Sequence, residues 1–333
     1  MGYKLFGLPY CGGKNSLARD LISLLPSGKR LVDLFGGGGA ITHAGAISKK
    51  WEKVLYNEIN PLTFNAFKNA VNGFFKEEVF GKPPFIDRET FKAKVSTDPY
   101  TALCFSFGND MKTYAYGEDI EGYKKALHNA VVFEEYDSLK NNCGVDLSEL
   151  SNFKTIKDKV AKLYSVCFKA LKNSGKIRKV DGKDLVFGLN GVKDGSLDCC
   201  SFIRLQHIER WKRLCSLALT KKLIETVSFT CGSYSDYEYQ EGDVVYCDPP
   251  YEGTSKDYNS SFDFKSFYDW VASRPYPVYF SSYGISDNRF FKIWERNVFC
   301  SLSTVERKTK NEILWSNRKE IEGRTNLLKM FKD

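Results

Sequence analysis

The sequence predicts an α/β protein in which an open, mostly parallel β-sheet is interrupted by a mostly helical insert that carries a β-hairpin. Near both ends of the chain, short apolar runs stop at glycine or acidic residues, as buried parallel strands do. The middle shows mostly helical periodicity and contains an Asp-Gly pair between two strand-like runs. We therefore predict a discontinuous domain over residues 1–75 and 225–333 and an inserted domain over residues 76–224.

The composition of the 333 residues is ordinary for a soluble protein. The net charge of +8, from 49 basic and 41 acidic residues, is compatible with a polyanionic partner without requiring one. No apolar stretch approaches a membrane span, and the N-terminus lacks a signal pattern. The ten cysteines form no Cys-x-x-Cys pair and the three histidines no ligand spacing, so we expect no metal site. Reduced thiols in a cytoplasm are the simplest interpretation.

The first strand is predicted over Leu31-Val32-Asp33-Leu34-Phe35, and four glycines, Gly36 to Gly39, separate it from a helix. Strand, glycine turn and helix form a cradle for nucleotide-like ligands, because glycine lets the backbone approach a ligand closely. The pattern differs from the dinucleotide fingerprint and lacks the lysine of a phosphate-binding loop, so the glycines alone are weak evidence. Before them, Tyr10-Cys11-Gly12-Gly13-Lys14 is either a ligand-binding loop or an ordinary turn ahead of an amphipathic helix.

A second strand over Lys53-Val54-Leu55-Tyr56-Asn57 ends at Glu58, about 20 residues beyond the glycine turn, where an acid typically accepts hydrogen bonds from ribose hydroxyls. A solvated acid at a strand end is the alternative. The succession of strand, glycine turn, helix, strand and acid indicates half of a binding site for a nucleoside cofactor. A helix beginning at Pro61 is predicted to follow.

The predicted insert contains two candidate regions for nucleic-acid binding. Tyr114 and Tyr116 lie in a glycine- and aromatic-rich loop, where they either stack on bases or pack in the interior. Residues 154–186 carry ten Lys or Arg against three acids, a net charge of +7. This segment begins with an amphipathic helix that exposes lysines and ends near Gly175.

The basic segment continues as a predicted hairpin, because strand-like runs over 176–180 and 183–187 flank Asp181-Gly182. A basic two-stranded ribbon can contact phosphates and fits the major groove of DNA, whereas a solvated lysine face is the alternative. The predicted DNA-binding residues of the hairpin are Lys176, Arg178, Lys179 and Lys183. A further basic helix is predicted over residues 202–219.

The apolar run Val244-Val245-Tyr246-Cys247 predicts a buried strand that ends at Asp248-Pro249-Pro250-Tyr251. Prolines cannot donate to a sheet, so Asp248 stands at the carboxyl end of the strand, where open α/β sheets bind ligands. The carboxylate and the Pro249 carbonyl can each accept one N–H of a planar amino group, and the Tyr251 ring can stack on its heterocycle. A rigid turn with a capping Asp is the alternative.

The remaining elements complete the sheet around this strand. An apolar run over 223–229 leads to Cys231-Gly232-Ser233-Tyr234, and the polar residues 252–262 could form a lid over a ligand. Further strands are predicted over 277–283, 298–302 and 325–331, and helices over 264–271 and 290–294.

Four motifs therefore follow in order: Tyr10-Cys-Gly-Gly-Lys14, Asp33-Leu-Phe-Gly-Gly-Gly-Gly39, Asn57-Glu-Ile-Asn60 and Val245-Tyr-Cys-Asp-Pro-Pro-Tyr251. Their identity, order and spacing resemble the Dam-type (D12 class) DNA adenine-N6 methyltransferases of bacteria and phages. The resemblance covers roughly residues 3–75 and 225–331. It implies a Rossmann-like sheet that uses S-adenosylmethionine, an inserted target-recognition domain, and site-specific methylation of adenine in DNA.

The resemblance also implies roles for single residues. Tyr10 and Lys14 would line the cofactor and base pocket, and Glu58, where family members more often have Asp, would hold the ribose hydroxyls. The predicted cofactor-binding residues are Tyr10, Lys14, Asp33, Phe35, Gly37, Gly39, Glu58, Tyr234 and Asp248.

The catalytic residues are predicted to be Asp248, Pro249, Pro250 and Tyr251. Asp248 and the Pro249 carbonyl would orient the amine for in-line transfer, so neither a strong base nor a metal is needed. The target adenine would leave the duplex and stack on Tyr251.

Other activities stay open at this point: methylation of RNA adenine or of cytosine N4, and DNA binding without catalysis. Relatives that act on RNA or amides more often resemble an Asn-Pro-Pro-Tyr form, and cytosine-N4 enzymes usually have Ser, so Asp248 favours DNA adenine. The expected partner is double-stranded DNA, bound by a monomer in a bacterial cytoplasm, whether a cell or a phage encodes the protein. The recognised bases, and a cognate nuclease of a restriction–modification pair, are not determined.

Overall fold

The structure is a computed structural model that describes residues 5–252, 262–299 and 309–319. Within these residues the chain forms two compact units. The first unit comprises Met1–Asn72 and Leu217–Asp333, and the second comprises Gly73–Ser216. The first is a mixed α/β unit with a seven-stranded sheet, and the second is mostly helical with a two-stranded sheet.

The strands of the first unit, numbered along the whole chain, are β1 (Arg30–Asp33), β2 (Lys53–Asn57), β5 (Val227–Thr230), β6 (Asp243–Cys247), β7 (Val278–Ser282), β8 (Phe291–Phe299) and β9 (Thr309–Ser316). Their order across the described sheet is β5-β2-β1-β6-β7-β9-β8. The five strands from β5 to β7 run parallel, whereas β9 and β8 are antiparallel to their neighbours. The chain builds outward from β1 on one side and from β6 on the other, so a topological switch point lies between these two strands.

The central strands are apolar because both of their faces are covered. All five residues of β6 are buried, and Val32 of β1 lies between Leu55 of β2 and Val245 of β6 in the ladder. At the amino ends of β1 and β6, the Arg30 guanidinium binds the Asp243 carboxylate through two hydrogen bonds of 2.8 and 2.6 Å. The pair fixes where β1 and β6 begin, and the carboxyl ends of both strands therefore reach the same sheet edge.

The helices of the first unit are α1 (Ala18–Leu24), α2 (Ala40–Ile47), α3 (Pro61–Val71), α12 (Lys221–Thr226) and α13 (Phe264–Ser273). Helix α13 begins after Asp263, whose carboxylate accepts a hydrogen bond of 3.0 Å from the Ser266 N–H. Its buried face presents Phe267 and Val271 to the core, where they join Phe280 of β7. Each such side chain contributes about 1.5–3 kcal/mol by leaving water, so this layer stabilises the strands beside the carboxyl ends of β1 and β6.

The second unit contains α4 (Glu77–Phe80), α5 (Arg88–Lys94), α6 (Pro99–Phe105), α7 (Glu118–Val132), α8 (Asp137–Cys143), α9 (Ile156–Asn173), α10 (Cys199–Ile203), α11 (Gln206–Leu217), β3 (Ile177–Val180) and β4 (Lys183–Val186). The last residue of helix α11, Leu217, is also the residue at which the chain returns to the first unit. Strands β3 and β4 pair antiparallel across Asp181 and Gly182, which have φ angles of 47° and 79°. Both values are positive, as a two-residue hairpin turn of type I′ requires.

Several elements differ from the sequence predictions. The helix predicted over residues 290–294 is wrong, because β8 starts at Phe291 and pairs with β9. The charged residues of β9 were not predicted as a strand. The apolar run over 223–229 is not one element, because it contains the end of α12 and the start of β5. The basic helix predicted over 202–219 is instead interrupted between Ile203 and Gln206. The predicted strand over 325–331 and most of the predicted lid over 252–262 and strand over 298–302 lie outside the described residues.

Candidate active site

The carboxyl ends of the parallel strands β1, β2 and β5 are linked to one another on one side of the switch point of the sheet. The Asn57 side chain, at the end of β2, donates hydrogen bonds of 3.0 Å to the carbonyls of Leu34 and Gly232. These two acceptors lie just beyond β1 and β5, so one amide group connects three strand ends. A rigid sheet edge of this kind is where open α/β folds bind ligands.

The glycine turn after β1 has backbone geometry that few other residues could adopt. Gly37 and Gly39 have φ angles of 48° and 72°. A Cβ atom on Gly39 would lie 2.2 Å from the Phe67 ring, and one on Gly37 would lie 3.3 Å from the Tyr10 ring. The turn therefore needs glycine both for its conformation and for the close approach of neighbouring rings.

Glu58 is buried and holds this turn in place. Its two carboxylate oxygens accept hydrogen bonds from the Gly37 N–H at 2.8 Å and from the Asn60 N–H at 2.9 Å. Burial raises the pKa of Glu58, while these backbone hydrogen bonds oppose the shift. An ionised carboxylate has about four acceptor positions, and the N–H groups of Gly37, Ile59 and Asn60 contact up to three of them, so about one remains for a ligand.

Asp33 supports helix α2 from inside the fold. Its carboxylate accepts hydrogen bonds from the hydroxyl of Thr42 at 2.7 Å and from the N–H of Thr42 at 3.2 Å. The residue is 1% exposed, and burial raises its pKa to about 7. These contacts give Asp33 a structural role at the base of the glycine turn, and its direct contact with a cofactor stays a prediction.

Phe35 and Tyr234 form one side of the sheet edge. Their rings stack with centroids 5.4 Å apart, and Phe262 and Phe267 approach Phe35 edge-on. Phe35 and Tyr234 are half-buried, so they keep part of their surface exposed. Such an aromatic pair can contact a planar heterocycle.

Asp248 follows β6 directly and forms part of a buried charge cluster. The Lys14 ammonium lies 2.9 Å from Asp248 Oδ2 and 3.7 Å from Glu312 Oε1. Burial lowers the pKa of Lys14, but the two carboxylates more than offset that effect, so its pKa lies above the ordinary value. Lys14 is therefore a cation, and its positive charge stabilises negative charge at the carboxyl end of β6.

Tyr251 completes this cluster. Its hydroxyl oxygen lies 2.9 Å from Asp248 Oδ1 and 2.5 Å from Glu312 Oε1. Lys14 lies 4.8 Å from the ring centroid, and the Tyr283 ring meets Tyr251 edge-on at 4.7 Å. The motif thus places an oriented carboxylate, a proline carbonyl and a fixed ring at one strand end.

The sequence analysis missed two members of this cluster, Glu312 and Tyr283. Glu312 lies on β9, which pairs between β7 and β8 and was not predicted as a strand. The one available signal was an acid directly before the apolar run Ile313-Leu314-Trp315, since an acid beside a buried run needs a partner. Tyr283 directly follows β7, at the same sheet edge as Asp248.

The residues predicted to bind DNA lie in the second unit, in two different environments. Arg178, Lys179 and Lys183 are exposed on the hairpin, and the half-buried Lys176 donates a hydrogen bond of 2.7 Å to the Gly188 carbonyl. The hairpin therefore presents several positive charges together, which is the arrangement that contacts phosphates.

The two predicted loop tyrosines are held by interior contacts. Tyr114 is half-buried and donates a hydrogen bond of 2.8 Å to the Ile86 carbonyl. Tyr116 is 6% exposed, and its hydroxyl lies 2.6 Å from His207 Nδ1, which is linked in turn to His128. Burial lowers the pKa of His128 to about 4, so this chain of groups is uncharged at neutral pH. These contacts favour the packing alternative for Tyr116.

Membrane-spanning helices and metal-binding clusters are both absent from the part of the chain that the structure describes. No helix there combines the length and apolar character that crossing a membrane requires. No group of three or more His, Cys, Asp or Glu side chains in residues 5–252, 262–299 and 309–319 is arranged to hold a metal ion.

A family model described as D12 class N6 adenine-specific DNA methyltransferase matches residues 10–103 and 205–270 of the chain. The first matched segment contains Tyr10, Lys14, the glycine turn and Glu58, and the second contains Asp248 and Tyr251. No curated protein matches the chain.

Proposed function

The chain belongs to the D12 class N6 adenine-specific DNA methyltransferase family and is an adenine-specific DNA methyltransferase, and we propose that it transfers a methyl group from S-adenosylmethionine to N6 of an adenine flipped out of duplex DNA. The proposal rests chiefly on Asp248, which stands at the carboxyl end of β6 with Lys14 and Tyr251 on its two oxygens. A carboxylate fixed in this way can orient an amino group without having to reorganise during the reaction.

The residues of the sheet edge fit S-adenosylmethionine. The glycine turn packs tightly against the interior, since a Cβ at Gly39 would meet the Phe67 ring, and a turn without side chains leaves its backbone open to the methionine end of the ligand. Glu58 keeps acceptor capacity for a ribose hydroxyl, and the half-buried Phe35 and Tyr234 offer apolar surface to an adenine ring. When bound, the cofactor supplies a methyl group on positively charged sulfur, and the Asp248 carboxylate favours that charge nearby.

Asp248 and Pro249 orient the target amine. The lone pair of an adenine amino group is delocalised into the ring, so this nitrogen is a weak nucleophile. Asp248 and the Pro249 carbonyl each accept one of its hydrogens, which favours a pyramidal nitrogen with its lone pair directed at the methyl group. Strand β6 ends at Cys247, before two prolines that cannot donate an N–H to the sheet, so the Pro249 carbonyl lies beyond the strand ladder. Alignment and charge placement then account for most of the rate enhancement.

Tyr251 receives the flipped base. A base inside the duplex cannot reach Asp248, so the adenine must leave the stack and be held by aromatic contact. The Tyr251 hydroxyl and the edge-on Tyr283 ring fix the orientation of the Tyr251 ring before the base arrives. Preorganisation of this kind lowers the entropic cost of binding.

The basic hairpin β3–β4 is proposed to contact the DNA backbone. Its exposed Arg178, Lys179 and Lys183 lie within a segment of net charge +7. Phosphate contacts of this kind supply affinity and orientation but do not identify the recognised bases.

Product analysis tests the proposal directly. The purified protein is incubated with S-adenosylmethionine and unmethylated genomic DNA, which is then digested to nucleosides and examined by mass spectrometry. We expect N6-methyladenine from the wild-type protein and none from Asp248→Ala, with cofactor binding by the variant reduced much less than transfer. N4-methylcytosine in place of N6-methyladenine would reassign the target, and an Asp248→Ala variant of near-normal rate would refute the role of the carboxylate.

A further inference from the structure

Glu312 is a buried acid on the antiparallel strand β9. It is 2% exposed, and its neighbours Ile313 and Leu314 are buried as well. Burying an ionised carboxylate is costly unless partners offset the lost hydration. Its partners are the Lys14 ammonium at 3.7 Å and the Tyr251 hydroxyl at 2.5 Å, both of which also contact Asp248. Glu312 therefore belongs to the methyl-transfer site by contact, although it lies outside the Asp-Pro-Pro-Tyr motif.

The Tyr251 hydroxyl has a single proton, but its oxygen lies within hydrogen-bonding distance of two carboxyl groups. Its oxygen lies 2.9 Å from Asp248 Oδ1 and 2.5 Å from Glu312 Oε1, and a phenol has one proton to donate. If both carboxylates were ionised, one of these short contacts would be a repulsion between lone pairs. A second proton in the cluster removes the repulsion and turns both contacts into hydrogen bonds.

The distances to Lys14 indicate which carboxyl group carries this second proton. Lys14 is 0.8 Å closer to Asp248 than to Glu312, from 2.9 and 3.7 Å, so the cation favours the ionised form of Asp248 more strongly. Asp248 is also the more exposed of the two, with a side chain 19% exposed against 3% for Glu312. Water and the nearer cation both stabilise charge on Asp248, which leaves the proton on Glu312.

We propose that Glu312 is a protonated positioning residue of the methyl-transfer site: its carboxyl O–H donates to the Tyr251 oxygen, and the Tyr251 O–H donates to Asp248. The inference rests on the proposed function of Asp248 and adds a residue to it. The four groups Lys14, Asp248, Tyr251 and Glu312 then have no net charge, which suits an uncharged adenine. Deprotonation of Glu312 would place a second negative charge beside Tyr251 and draw Lys14 away from Asp248.

The other ionisable groups around Glu312 agree with this assignment. Burial raises the pKa of Glu312 and nearby Asp248 adds to the shift; Lys14 and the hydrogen bond with Tyr251 oppose it, and the pKa still lies above its ordinary value. Among the described residues, the ionisable groups that interact with the cluster or lie beside it on neighbouring elements include Asp33 of β1, Tyr246 and Cys247 of β6, Tyr283 after β7 and Lys310 of β9. Lys310 lies 4.5 Å from the Tyr283 ring centroid, and Tyr246 forms its hydrogen bond with Ser281.

Infrared spectroscopy on protein labelled with ¹³C-glutamate tests the proton directly and needs no turnover. We expect wild-type protein at neutral pH to show the carbonyl band of a protonated, labelled carboxylic acid that is missing from Glu312→Gln. The spectrum of Glu295→Gln, a change of an exposed acid on β8, should match that of the wild type. A wild-type spectrum without a band that depends on Glu312 would overturn the proposal.

The pH dependence of methylation tests the positioning role. An amide resembles a protonated carboxyl group, so Glu312→Gln should keep its rate at neutral pH within about threefold, whereas Glu312→Ala should lose about 10- to 100-fold. Wild-type activity should fall at alkaline pH as Glu312 ionises, and Glu312→Gln should lack that decline. If Glu312→Gln is as slow as Glu312→Ala, or keeps the alkaline decline, a protonated Glu312 is wrong. If wild-type protein makes no N6-methyladenine, the proposed function fails instead, and the infrared band still decides the state of Glu312.

Discussion

Replacing Lys14 by methionine removes the cation that faces the Asp248 carboxylate and the Glu312 carboxyl group in the interior of the first unit. The Lys14, Asp248 and Glu312 side chains are 10%, 19% and 3% exposed. Methionine has a similar length, so packing changes little and the main effect is electrostatic. Removing one partner of a buried ion pair costs about 3–5 kcal/mol, and because Asp248 is partly exposed we expect a loss near the lower limit, about 3 kcal/mol.

Urea unfolding followed by circular dichroism measures this loss, with Lys292→Met as the control. Lys292 is exposed on β8 and pairs with Glu295, so its replacement should change the free energy of unfolding much less. The pKa of Lys14 is raised above 10.5, so its contribution is complete below pH 10.5 and disappears as the pH rises through the folded-state pKa. The difference between wild type and Lys14→Met should therefore be full at pH 7 and shrink in strong alkali. A loss below about 0.5 kcal/mol at pH 7 would refute the buried ion pair.

Three further outcomes follow from the same geometry. Tyr251→Ala should weaken capture of the flipped base by about 10-fold or more, whereas Tyr251→Phe should keep most of it. The fluorescence of 2-aminopurine at the target position measures this capture, and equal losses in the two variants would contradict stacking. Gly39→Ala should lower the free energy of unfolding by about 1–3 kcal/mol, because its φ is 72° and the new Cβ would meet an aromatic ring. The control Gly122→Ala, inside α7, should not destabilise the protein. Similar effects of the two changes would show that the turn tolerates a side chain. The double change Lys179→Gln and Lys183→Gln should reduce the salt dependence of DNA affinity by a slope of about 2, and an unchanged slope would exclude the hairpin from the interface.

The local elements were predictable where one strong signal covered a short stretch. Strand β2 has the predicted bounds, and β1, β6 and β7 differ from prediction by one or two residues at their ends. Their apolar runs are long enough to be buried on both faces, and glycine, acid or proline marks where each stops. Strands β8 and β9 could not be identified in this way, because their polar residues are held by pairing with each other and with β7 rather than by an apolar pattern.

In the candidate site, too, motifs predicted which residues occur together, whereas their contacts depended on the tertiary structure. Tyr10, Lys14, Glu58 and Asp248 were predicted from motifs, and each lies at the sheet edge next to its motif partners. Asp33 was predicted as a cofactor contact; one of its carboxylate oxygens accepts two hydrogen bonds from Thr42 of helix α2, and its contact with a cofactor stays a prediction. A motif records which residues occur together, but it does not distinguish a residue that touches a ligand from one that supports the turn beside it.

The sequence by itself determined the class of fold, the glycine turn, the acid after β2 and the carboxylate at the end of β6, because each depends on residues adjacent in the chain. Only the tertiary structure brought Glu312 against Tyr251, 61 positions away, and placed Lys14 near the carboxyl groups of both Asp248 and Glu312. Contacts of that separation depend on how strands order themselves in the sheet, and local residue patterns carry little information about that order. The charge of the site is therefore set by the fold, while the identity of its central carboxylate can be recognised from the motif alone.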